Sequence, residues 1–145
     1  MESPAHTTPR ADTIVLLLRI TICLLAAIHG WTRFYEGNVL GFGRFLSNAG
    51  VPLGVPAGVL VSSMEAFVAP LLASGRLGRL NAPVALGFAC IYMVGSFVYH
   101  LPYGWFSAGH EDGCEYPTLM VVCFSLVAWY HAGPGWRWRL LPARA

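Results

Sequence analysis

The stretch Thr13–His29, TIVLLLRITICLLAAIH, carries a single formal charge, Arg19. A helix of ~20 apolar residues crosses a bilayer core of ~30 Å, so the run predicts a membrane span with a cation inside it. Three further runs follow the same pattern. Val51–Ala73 contains Glu65 as its one formal charge, and Leu80–Leu101 and Tyr116–Ala132 contain none. The expected fold is therefore an all-α membrane protein, a four-transmembrane-helix bundle. A charge at such depth is costly and is usually paired, often for a functional reason.

The composition agrees. Charged residues make up 11% of the 145 and apolar ones 56%, with a mean hydropathy of +0.57, too little polar surface for a soluble domain. A net charge of +2 argues against a nucleic-acid partner. Residues 1–10 read as a disordered tail, 11–139 as one transmembrane domain, and 140–145 as a short C-terminal tail. The first run is expected to stay as a true span, because Arg19 breaks its apolar core and no cleavage site follows Gly30. Arg10, Arg76, Arg79, Arg137, Arg139 and Arg144 fall on one side of four spans, and Arg33 and Arg44 on the other. That bias places both termini in the cytoplasm.

Trp31–Gly50 is too polar to span. It mixes Trp31, Phe34, Tyr35, Phe42 and Phe45 with Arg33, Glu36 and Arg44, which suits an interfacial or re-entrant amphipathic segment between spans one and two. Its glycines lack the Lys-Ser/Thr that a phosphate loop requires. In span two, Gly54, Gly58, Ser62, Glu65 or Ala66, Ala69 and Ala73 follow at three- and four-residue spacing as a stripe of mostly small residues suited to close helix packing in lipid. Pro52, Pro56 and Pro70 are expected to kink or end that helix.

Two constellations can carry chemistry. Counting ~1.5 Å per residue puts Arg19 about 10 Å from the cytoplasmic face and Glu65 about 10–15 Å from it, so the two are expected to form a buried ion pair. Such a pair either fixes helix register or handles protons or substrate. The second is an outer polar pocket built from His29, Tyr99, His100, Glu115 and Tyr116, residues at three helix ends that should converge. It suits a quinone, whose oxygens these groups can hydrogen-bond, or a metal ion; otherwise it is a solvated rim. No metal-ligand spacing such as CxxC or HExxH is present, so no metal ligands are assigned and the cofactor stays open. Cys23, Cys90 and Cys123 fall mid-span on three helices as packing residues, with a redox thiol site as the alternative.

Arg19 in span one, His29-Gly30 at its end, Glu65 in span two, Gly113-x-Glu115 opening span four and Gly133-Pro134-Gly135 closing it together resemble the DoxX family. These are small four-helix membrane proteins related to the membrane subunit of thiosulfate:quinone oxidoreductase. The resemblance runs over roughly Ala11–Arg139. It departs where Ala66-Phe67-Val68 stands in place of glycines and where Trp136-Arg137-Trp138 continues the C-terminal motif. The resemblance implies a subunit or accessory protein of a quinone-linked redox system in a bacterial plasma membrane. A soluble redox partner protein and a homo-oligomer are the expected partners besides the lipid bilayer. A non-catalytic scaffold or an oligomeric small-molecule or metal transporter is the alternative.

Overall fold

The computed structural model describes residues 9–106 and 113–132. Every regular element among them is helical. α1 spans Pro9–Tyr35, α2 Val39–Asn48, α3 Gly54–Ser63, α4 Ala69–Ser74, α5 Asn81–Gly95 and α6 Glu115–Ala132. A π-turn at Met64–Val68 joins α3 to α4, and another at Ser96–His100 extends α5. Three stretches are long and apolar enough to cross a membrane: Arg10–Tyr35, Gly54–Ser74 and Gly78–Tyr103.

α1 starts earlier and ends later than expected. Pro9 and Arg10, assigned to the tail, are already helical, and Gly30 is not a terminator but an interior residue. The reason for the glycine is spatial: a Cβ there would meet the backbone of Glu65 (2.8 Å from its carbonyl carbon) and of Ala66. Close approach of two helices at small residues is the usual packing solution in lipid. Cys23, Ala26 and Ala27 continue the buried face of α1 below it.

The small stripe of span two is buried as expected, but two neighbours share it. Gly54 and Gly58 lie against Ser47 and Gly43 of α2, whereas Ala66 lies against Gly30 of α1. α2 is thus a helix seated on α3. α5 and α6 pair along their lengths around a stack of Phe88, Tyr92 and Phe124.

Prolines account for both π-turns. Pro70 and Pro102 each follow a π-turn by two residues. A proline has no N–H for the carbonyl four residues back and its ring crowds that carbonyl. The helix adjusts by bonding five residues back instead, Ala69 N–H to the Met64 carbonyl and Leu101 N–H to the Ser96 carbonyl. Pro70 therefore does not end the second span; it re-aims it.

The helices alternate in direction. At one end Tyr130 of α6 donates to Asp12 of α1, and Asn81 Nδ2 donates to the Gly75 and Gly78 carbonyls (3.2 and 2.9 Å). At the other end lie Tyr35, α2 and the start of α6. The His110-Glu111-Asp112 loop, the Gly133-Pro134-Gly135 stop with Trp136 and Trp138, and residues 140–145 lie outside the described residues, as does most of the N-terminal tail.

Candidate functional site

The charged pair is not the expected one. Glu65 pairs with Arg33, and Arg19 makes no ion pair among the described residues. Gly30 packs level with Ala66, and Arg19 lies eleven residues below Gly30 on α1, which is about 16 Å along the axis at ~1.5 Å per residue. Arg33 lies one turn above Gly30 on the same face, within reach of Glu65. A first helix ending near His29–Gly30 leaves Arg33 in a loop, whereas the continuation of α1 to Tyr35 carries it onto the face toward Glu65.

Each partner is held from several sides. Glu65 is 3% exposed. One carboxylate oxygen accepts from Arg33, and the other accepts from the Tyr92 hydroxyl at 3.3 Å. The Arg33 guanidinium also stands over the Phe42 ring, 4.0 Å from its centroid, which ties α2 to the pair. The carbonyl of Ala66 lies four residues before Pro70 and so has no N–H partner at that position. It accepts from the Trp31 indole at 2.8 Å. Thus the proline, the glycine and the π-turn jointly seat α1 against the carboxylate.

Glu65 and Arg33 border a cavity of about 750 Å³. Tyr92 of α5 and Tyr116 of α6 stand edge to face at its floor, with ring centroids 6.4 Å apart. The Tyr116 hydroxyl lies 3.4 Å from His29 Nε2. α2 roofs the space with Phe42, Phe45 and Leu46, Tyr99, His100 and Cys90 also border it, and most of the remaining wall is aliphatic. Phe45 meets Tyr99 edge-on, with centroids 5.2 Å apart, across the top.

A second polar knot lies at the opposite end. Arg19, 8% exposed, donates through Nη1 to His131 Nε2 at 2.8 Å. That bond requires a neutral imidazole with its proton on Nδ1. The guanidinium rests against Gly75, the left-handed cap of α4 (φ +71°), where a Cβ would lie 2.7 Å from Nη2. The carbonyl end of α4 favours a cation at this spot.

A family model described as DoxX matches residues 14–101, more than half of the chain. The chain belongs to the DoxX family. No curated protein and no solved structure matches it.

In this DoxX protein, a helical membrane protein, four of the five residues expected in the outer pocket border one cavity: His29, Tyr99, His100 and Tyr116. Glu115 does not. It is exposed in the first turn of α6, where its N–H donates to the Trp105 carbonyl at 3.1 Å. Arg33, Glu65 and Tyr92 are the members that sequence reasoning left out of the pocket. The helical spacing of Gly30 and Arg33, and the proline four residues after Ala66, are the signals that point to them. Cys90 is exposed and borders the cavity, while Cys23 and Cys123 are buried and free. Among the described residues no three His, Cys, Asp or Glu gather as a metal site.

Proposed function

We propose that this DoxX protein is an integral membrane subunit or accessory protein of a quinone-linked redox system, with the cavity beneath α2 as the quinone head-group site. The observation that carries the reading is the join of Arg33, Glu65 and Tyr92 to a largely apolar chamber of about 750 Å³. A mostly apolar pocket with a few fixed polar groups is the general form of a small-molecule site.

The donor set fits a quinone. Arg33 keeps N–H groups beyond the one given to Glu65, and the Tyr92 hydroxyl can turn its single proton from Glu65 to a carbonyl oxygen entering the floor. Glu65 is the one carboxylate bordering the cavity among the described residues, which makes it the candidate proton acceptor there. His29 and Tyr116 form a second polar pair on the same wall, toward the end where the chain meets water. Phe42 and the tyrosine rings supply flat apolar walls. A bound quinone supplies two-electron, two-proton chemistry, and a soluble redox protein is the proposed electron partner.

The same proposal takes α6 as a fourth crossing and α2 as a segment at the outer membrane interface. Both termini lie in the cytoplasm of a bacterial cell, and the chain is multi-pass in its plasma membrane. A homo-oligomer is compatible with the wide exposed apolar faces of α1 and α6.

Titration of the nanodisc-embedded protein with a tail-less benzoquinone, read by tryptophan quenching, tests the site. Tyr92→Phe removes one donor at constant volume and should weaken binding about fivefold to tenfold, the worth of one hydrogen bond. A thermal melt serves as the folding control. Unchanged affinity in Tyr92→Phe, His29→Ala and His100→Ala alike removes the cavity as a quinone site.

A further inference from the structure

The chamber is larger than its polar floor requires. Pockets of ~300–1,000 Å³ enclose whole drug-sized molecules, and about 750 Å³ exceeds the need of one substituted ring. The surplus has a clear location. α3 packs on α1 and α2, and α5 packs on α6, but α3 and α5 stand apart, facing each other across the cavity. Ala57 and Val61 border it from α3, Ile91 and Val94 from α5, and Val98 from the π-turn that extends α5. These are aliphatic side chains without a polar atom.

Two observations show which way this space opens. The end toward α2 is covered, because Phe45 meets the edge of Tyr99 over the top. The side is not: Val94 and Cys90 border the cavity and are also exposed, and Leu60 on the facing helix is 60% exposed. A surface flanked by these residues faces lipid, not water.

Gly95 is the decisive residue. It lies inside a helical run on the stripe formed by Ile91, Gly95 and Val98, and it borders the cavity. Glycine there costs about 1 kcal/mol of helix propensity relative to alanine. At Gly30 the compensation is visible, because a Cβ would strike a neighbouring backbone. At Gly95 a Cβ would meet nothing within 4 Å. The missing side chain is therefore not needed for helix packing; it leaves space open in the cleft.

We propose that the cleft between α3 and α5 is a lateral portal, kept open at Gly95, that admits the isoprenoid tail of a membrane-dissolved quinone while its ring reaches Glu65 and Tyr92. This rests on the quinone reading of the floor and extends it to the class of quinone and its route. The ring enters first from the bilayer, and the tail stays between the two helices.

The test uses two ligands with the same benzoquinone ring, one without a tail and one with a short isoprenoid tail. Each is titrated into the full-length protein in phosphatidylcholine nanodiscs. Comparing variants with the same ligand cancels its partition into lipid. Gly95→Leu should weaken the tailed quinone about tenfold, because a leucine in the cleft leaves the tail no exit and holds the ring off the floor, at the worth of about one hydrogen bond. It should leave the tail-less ring within twofold. Val94→Trp, which plugs the mouth from the lipid side, should do the same. Equal weakening of both ligands overturns the portal, since the new side chain then merely fills the ring site. No change in either ligand places the tail elsewhere and overturns it too. The quinone reading fails separately, through the tail-less ring alone, if its affinity is unchanged in Tyr92→Phe, His29→Ala and His100→Ala alike.

Discussion

At the scale of single residues, the pairing of Arg33 with Glu65 makes a prediction that separates it from the pairing expected on depth alone. Removing one partner of a buried ion pair strands the other, at a cost of about 3–5 kcal/mol. Arg33→Ala and Glu65→Ala should each lower the melting temperature in detergent, and the double variant should recover part of the loss. Arg19→Ala combined with Glu65→Ala should instead be additive within ~0.5 kcal/mol, as for distant sites. A double-mutant cycle decides the matter, and coupling of Arg19 rather than Arg33 to Glu65 overturns the assignment. Glu65 was legible because a lone carboxylate in an apolar run has few harmless explanations. Its partner was not, because an arginine just beyond a His-Gly reads as a loop residue. Only the continuation of α1 to Tyr35 lifts Arg33 onto the right face. Tyr92 escaped notice for a plainer reason: a tyrosine in an apolar helix gives no sign of what its hydroxyl meets.

Among the helices, two glycines of similar appearance have opposite roles, and substitution by alanine should tell them apart. Alanine is the better helix former at both positions by roughly 1 kcal/mol. At Gly30 its methyl would meet the backbone of Glu65 and Ala66, part α1 from the π-turn, and break the Trp31 and Arg33 contacts together. Gly30→Ala should therefore lower thermal stability against its own propensity. Gly95→Ala meets no neighbour and should leave stability equal or raise it. Melts of the two variants in the same detergent check this; a stable Gly30→Ala would mean that the helices can part without loss. Glycine spacing alone announces close approach but not which neighbour approaches. The prolines carry a similar ambiguity: a proline inside an apolar run predicts a disturbance, and only the packing around Pro70 shows that it becomes a π-turn rather than a break.

For the molecule as a whole, the arginine bias predicts cytoplasmic termini. With Arg33 held inside the bundle by Glu65, the count sharpens to six arginines against Arg44 alone. Reporter fusions at each terminus should both give the cytoplasmic signal, and an external signal at either one sinks the proposed topology. The alternating bundle was readable from four apolar runs with short connections. α6 is not among the three stretches apolar enough to cross, because its ends hold Glu115, Tyr116, Tyr130 and His131; of these, Tyr116 and His131 serve the two polar knots and also dilute its signal as a span. The contact between Arg19 and His131 also constrains the order of biogenesis. The ribosome makes Arg19 112 residues before it makes the imidazole that accepts from it. Glu65, made within that interval, packs level with Gly30, too far from Arg19 along the axis of α1 to substitute. Until the last helix arrives, a nascent chain therefore holds the Arg19 cation by the carbonyl end of α4 alone, with no imidazole to accept from it.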